Sequence, residues 1–173
     1  MAEVKNKLTS QAAEQLAKKL MRQHGVAAQG WKFQWSSGKR RLGEASIRRR
    51  KHRTTGRVET RKTIKLSRHL VALNPEPVVR DVILHEIAHA LAGLENGHNE
   101  VWQAACKKVG AKPQRLADEG VDVVAGKYTV VCKLCKQTLG TRHRRSSPDA
   151  LARTYCRDCG PNSAGKVQLI RND

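Results

Sequence analysis

Between Val78 and Leu91 the chain is mostly apolar, and the polar residues embedded there include His85, Glu86 and His89 in the order H-E-x-x-H. No other run constrains the fold as tightly. On a helix, positions i and i+4 share a face, so both imidazoles can reach one ion while Glu86 stands beside the first of them. Val78, Val79, Val82, Ile83, Leu84, Ile87, Ala88 and Leu91 mark a helix covered on most sides, where bare imidazoles and a bare carboxylate are costly. A bound zinc ion would satisfy them. It would also bring the pKa of water down to about 7, leaving Glu86 to act as the base in attack on a peptide carbonyl. Asn74 and Pro75 supply turn or cap residues before this helix, and Gly93 and Gly97 allow the chain to reverse after it.

A catalytic zinc site takes three protein ligands and keeps one position open. His98 follows the reversal and is the expected third ligand, with Glu95 as the alternative and Glu100 a further carboxylate in reach. The extended pattern H-E-x-x-H-x-x-G-x-x-H is not met, because Ala92 and Glu95 stand where it needs Gly and His. From residue 98 to 109 a second helix is expected. Trp102, Ala105, Cys106 and Val109 are spaced along it as a core face, so Cys106 reads as a small buried apolar residue.

Cys132-x-x-Cys135 and Cys156-x-x-Cys159 form two knuckles separated by residues 136 to 155. That spacing suits a four-cysteine zinc ribbon, in which four thiolates close the tetrahedron and leave no place for a reaction. Two disulfides are the alternative. Met1-Ala2-Glu3-Val4-Lys5 has no apolar leader segment, so a reducing, intracellular compartment, cytoplasmic or nucleoid-associated, is expected. Two zinc ions are therefore anticipated, one catalytic and one structural.

A chain of 173 residues has room for one substantial core plus a small metal-stapled appendage. No segment approaches the ~18 to 20 apolar residues of a membrane span, and no membrane partner is expected. The net charge of +19 is unevenly distributed. Residues 39 to 65 hold twelve Lys or Arg against Glu44 and Glu59, and residues 127 to 173 hold ten against three Asp. Residues 76 to 110, by contrast, carry three basic and five acidic side chains. Segregated positive charge points to a polyanion, since each neutralised phosphate releases counterions. Arg48, Arg49, Arg50, Lys51 and Arg53 are the densest block, and Arg142, Arg144 and Arg145 form a second candidate contact. DNA, single- or double-stranded, is the expected partner, with RNA open and a merely solvated basic face as the bland alternative. Trp31, Phe33 and Trp35 alternate along one face of a strand, where they serve the core in preference to stacking on bases.

The expected order is an amphipathic helix from residue 8 to 24 with Leu8, Ala12, Leu16 and Leu20 in its stripe, then strands near 31–36, 41–48 and 58–66. Helices near 76–92 and 98–109 follow, then a loop through Pro113 and Gly120. The ribbon opens near Lys127, and Ser147-Pro148-Asp149 can start a short helix between its knuckles. The fold class is α+β, a small sheet packed on helices including the H-E-x-x-H helix, with residues 1–126 as the catalytic domain and 127–173 as the four-cysteine zinc ribbon.

Trp31-Lys32-Phe33, Arg41-Leu42-Gly43, Ile64 to Ser67, Ile83 to Ala90, Gly97-His98, Trp102 and the later Cys-x-x-Cys pair stand in an order that resembles the SprT-like metalloprotease family, over most of residues 8 to 160. The resemblance implies a zinc peptidase acting on proteins associated with DNA, with His85, His89 and His98 as ligands and Glu86 as the catalytic carboxylate. Asn99 stands where that family commonly has Gly. Two classes remain in view: a zinc endopeptidase localised by basic surfaces, and a nonenzymatic nucleic-acid-binding protein with two structural metals. A carboxylate beside an open coordination position favours the first.

Overall fold

The computed structural model describes residues 7–39, 41–114 and 121–172. Met1 to Lys5, read above for a leader, and Gly120 of the expected loop lie outside the described residues. The chain divides into two compact units, Met1–Val123 and Val124–Asp173. Each mixes helix and strand, so the architecture is α+β.

In the first unit, α1 (Ser10–Gln23) begins where the Thr9 hydroxyl accepts the Ala12 N–H at 3.1 Å, a side-chain cap for a helix end that has no carbonyl partners of its own. It stops at Gly25, which takes φ +74°. Its buried face carries Ala13, Ala17, Leu20 and Met21, a stripe turned about one residue from the expected Ala12–Leu16 line. The small alanines let α1 lie close to its neighbours, and Leu8 and Leu16 flank the contact half-buried. β1 (Trp31–Ser36), β2 (Gly43–Lys51) and β3 (Val58–Ser67) form a sheet of order β1-β3-β2, with β1 parallel and β2 antiparallel to β3. Ile64 and Leu66 of β3 enter the core together with Trp31, while Phe33 and Trp35, edge to face with each other at 5.1 Å, pack half-buried against it. The rings of β1 are thus core residues, and Trp35 also donates its indole N–H to Glu14 at 3.0 Å.

A short helix, α2 (Arg68–Leu73), follows β3 directly and was not expected from the sequence. Ser67 caps it, and Leu70 and Val71 fill the core from it. The helix α3 (Glu76–Ala92) runs through the middle of the unit, with Pro75 at its entrance and Pro77 in its first turn. Val79, Val82, Ile83, Leu84, Ile87 and Ala88 are all buried, so nearly its whole circumference faces protein, as its unbroken apolar run requires. α4 (Glu100–Val109) starts two residues later than expected and buries Trp102, Cys106 and Val109. Asn74, itself fully buried, fastens residue 122 to this unit: its side chain donates to the Asp122 carbonyl and accepts the Asp122 N–H, both at 2.7 Å.

The second unit contains β4 (Tyr128–Cys132), β5 (Thr138–Arg142), α5 (Pro148–Ala152) and β6 (Val167–Arg171). The strands form an antiparallel sheet of order β5-β4-β6. Ser147 caps α5 as its Ser-Pro-Asp start anticipates. Its apolar interior is small, essentially Val130, Val167, Cys132 and Cys156. Among the described residues no helix is long and apolar enough to cross a membrane.

Candidate active site

His85 and His89 occupy successive turns of α3, and the chain must reverse to bring His98 to them. Two glycines in backbone regions that side chains disfavour make that reversal, Gly93 at φ +90° and Gly97 at φ +53°. Asn99 then caps α4, its side-chain oxygen accepting the N–H groups of Val101 at 3.0 Å and Trp102 at 3.3 Å. The cap is therefore Asn99, which leaves the neighbouring His98 imidazole for the cluster. His98 Nε2 lies 3.3 Å from His85 Nε2, and His89 Nε2 lies 3.2 Å from it. A tetrahedral zinc ion with nitrogen ligands at ~2.0–2.1 Å places those nitrogens about 3.3–3.4 Å apart. The three imidazoles fit such an ion. His85 Nδ1 is buried with no partner, so Nε2, facing the cluster, is the ring atom through which its burial is compensated. Neither Glu95 nor Glu100 belongs to this group.

The indole of Trp102, 1% exposed, packs against all three imidazoles, with ring centroids 4.8, 5.2 and 4.5 Å from those of His85, His89 and His98. Burial, assisted by the charges of His89 and His98, pushes the His85 pKa down to about 3. Burial and His98 push that of His89 down to about 4. Both rings are therefore neutral near pH 7, the form that offers a lone pair to a metal.

Glu86 faces the edge of the sheet. Its Oε2 accepts the Ala45 N–H at 2.7 Å, and a side chain at Gly43 would come within 2.7 Å of its Cγ and Oε1. β2 is thus glycine where it passes the carboxylate and offers a backbone donor two residues on. Sequence reasoning missed both partners. Burial raises the Glu86 pKa to about 7; the Ala45 hydrogen bond opposes the rise, Glu44 adds to it and Arg41 lowers it.

The second cluster joins Cys132, Cys135, Cys156 and Cys159, whose sulfurs lie within 4.8 Å of one another. Cys132 and Cys159 Sγ are 3.9 Å apart, and Cys135 and Cys156 Sγ are 3.6 Å apart. These spacings exceed the ~2.05 Å of a disulfide and match the ~3.8 Å edge of a zinc–sulfur tetrahedron with bonds of about 2.3 Å. All the cysteines are free thiols. Backbone N–H groups of Cys135 and Leu134 draw the Cys132 thiol down to about 7, whereas the Cys135 thiol and burial push Cys159 up to about 12. Cys106, in the first unit, is fully buried, and burial lifts its pKa to about 11, as a core thiol should show.

The structure gathers the seven metal-competent residues into two groups, and it leaves the expected phosphate-binding cations outside both. Arg48, Arg49, Arg50, Lys51 and Arg53 lie exposed along the far half of β2 and the turn after it. Arg142, Arg144 and Arg145 are exposed at and beyond the end of β5 in the second unit.

A buried helix presenting two imidazoles and a carboxylate, with a third imidazole returned by a glycine loop, defines a metallopeptidase-like centre. The SprT-like family model matches residues 6–121. The chain belongs to the SprT-like family. No curated protein matches it.

Proposed function

We propose that the chain is a zinc-dependent endopeptidase that acts on nucleic-acid-associated proteins and is localised by its basic surfaces. The observation that carries this reading is the convergence of three imidazole Nε2 atoms next to a buried carboxylate of which one oxygen is held by the Ala45 N–H. A structural metal site has no use for that carboxylate. His85, His89 and His98 would hold the ion, and Trp102 keeps their rings in place. When bound there, zinc supplies Lewis-acid activation of water and substrate carbonyl. Ala45 immobilises Oε2 of Glu86, so Oε1 takes the proton from the attacking water and then returns it to the leaving nitrogen. A carboxyl whose burial favours the protonated form is suited to both steps. The four thiols would hold a second, structural zinc.

Nucleic acid enters through charge. The exposed cations of the β2–β3 hairpin and those after β5 supply sequence-independent attraction to phosphates. Glu86→Gln tests the catalytic reading, because the amide keeps the Ala45 hydrogen bond but cannot accept a proton. Zinc content and nucleic-acid affinity should stay at wild-type levels while peptide hydrolysis falls by about 10²-fold or more. Cleavage at the wild-type rate would remove Glu86 as the base, and unchanged zinc content after His85→Ala and His89→Ala would remove the metal assignment.

A further inference from the structure

β1 pairs with β3 only from Lys62 to Ser67, whereas β2 and β3 stay paired from Gly43↔Leu66 out to Lys51↔Val58. Beyond Ile47↔Lys62 the hairpin is therefore a two-stranded ribbon. It closes through His52 N–H to the Arg57 carbonyl at 2.9 Å and Gly56 N–H to the His52 carbonyl at 3.0 Å. The four further residue pairs extend it roughly 14 Å past the sheet, at about 3.4 Å each. No side chain from Arg48 to Arg61 is buried, and a ribbon without an apolar face is only marginally stable in water. Packing does not account for its length.

Its charge suggests what does. From Arg48 to Arg61 there are seven Lys or Arg and one carboxylate, Glu59. Glu59 is engaged by Arg61 at 2.9 Å. Arg48 stands directly opposite Arg61, a like-charge pairing that opposes the fold in the absence of a counter-charge. Strand alternation sends Arg48, Arg50 and Arg61 to one face, Arg49 and Lys51 to the other, and leaves Arg53 and Arg57 at the turn. A flat polyanion would call for cations on one face. Cations on both faces and the tip suit a groove walled by phosphates on each side.

We propose that this ribbon enters the major groove of duplex DNA, an assignment that rests on the nucleic-acid reading above. The B-form major groove, about 12 Å wide, admits a two-stranded ribbon as it stands; the minor groove, about 6 Å wide, takes one where the duplex is bent, commonly by an apolar wedge, and the tip from His52 to Arg57 carries none. The major groove of an RNA duplex is too deep and narrow. The docking also has a geometric consequence for the site. Ala45, which holds Glu86, is three residues before Arg48 on the same strand, so roughly 10 Å of strand separates the base from the first groove cation. Proteins seated beside a duplex are thereby brought to the cleft.

The test is fluorescence anisotropy with the full zinc-loaded chain and a DNA duplex of about 20 base pairs, the same-sequence single strand and an RNA duplex, from about 50 to about 200 mM salt. Two variants probe the two faces, Arg48→Ala with Arg50→Ala and Arg49→Ala with Lys51→Ala. Each should weaken duplex DNA binding and lower the slope of log K against log salt by about 1.8, two phosphates at about 0.9 each. Bulky 5-substituents on the pyrimidines, which fill the major groove, should weaken wild-type binding. Should either double variant lose zinc, Arg50→Ala and Lys51→Ala alone carry the comparison at about 0.9 each. The proposal is overturned if one face proves silent, if the single strand or RNA duplex loses as much, or if the filled groove binds equally well. Should the wild type bind no nucleic acid, the broader reading falls with it; DNA binding indifferent to the ribbon variants overturns the ribbon assignment alone.

Discussion

Two of the three imidazoles stand on a helix and the third on the loop that follows it, in a unit with about twenty buried apolar side chains, whereas the four thiols sit on two knuckles in a unit whose apolar interior is essentially Val130, Val167 and two of the thiols themselves. The first arrangement is a core that happens to present ligands. The second is a set of ligands that substitutes for a core. Apolar burial contributes about 1.5–3 kcal/mol per large side chain, which leaves the second unit far short of the ordering cost of its strands without a metal. The first unit carries its own stability and can leave its ion exchangeable.

The largest expected effect follows from that contrast. Stripping metal from both clusters should abolish the second unit's structure, since structural zinc in small domains carries about 10–16 kcal/mol of apparent binding energy. The first unit should stay folded. Amide hydrogen exchange on chelated protein would show it as lost protection in β4, β5 and β6 with α1 and α3 still protected; equal loss, or no loss, in the two units would erase the distinction.

A smaller effect separates the ligands from the base in the metal-free first unit. Burial raises the Glu86 pKa from 4.5 to about 7, so the folded state holds its proton more tightly than the unfolded state. Its contribution is fully present below about pH 4.5 and is lost as pH rises through about 7, reaching about 3 kcal/mol at ~1.4 kcal/mol per unit. His85 and His89 shift in the opposite sense, from 6.5 to about 3 and about 4, and cost stability as pH falls below 6.5. They are common to wild type and Glu86→Gln, so their effect cancels in the comparison. Metal-free Glu86→Gln should therefore gain on the wild type between about pH 4.5 and about pH 8 in urea denaturation. A difference that stays constant over that range would mean that the carboxyl is not held protonated by burial.

The smallest effect concerns delivery of the third imidazole. Asn99→Ala removes the cap of α4 and should cost about 1 kcal/mol. It should also loosen His98, lowering zinc affinity at the imidazole cluster several-fold in a competition titration while the thiol cluster holds its ion unchanged. Equal weakening at both would point to a general loss of fold.

How much of this was legible beforehand depends on how local each feature is. His85 and His89 are one turn apart, so their shared face follows from helix periodicity alone, and the knuckle spacing of the four cysteines is equally short-range. The extent of α3 and the start of α5 agree with their sequence signals for the same reason. Glu86's partners are different: Ala45 lies forty-one positions away in the chain, and nothing local to either residue announces the contact. The face of α1 turned because two alanines pack closer than the leucines beside them, a matter of tertiary fit that an apolar stripe does not encode. α2 went unforeseen because its six residues follow β3 without a break, too short to display a period. Asn99 stood out as a departure from the family's pattern, and its role as a cap emerged only once α4 was seen to begin at Glu100.

The indole packed on the imidazoles makes the site optically addressable. The chain's three tryptophans are Trp31, Trp35 and Trp102, and the indole packed on the imidazole cluster is that of Trp102. Ligand field and chromophore share a van der Waals surface there. A coloured or paramagnetic ion replacing zinc would thus have an emitter built into its own ligand shell, and occupancy of the site becomes readable as light without any label.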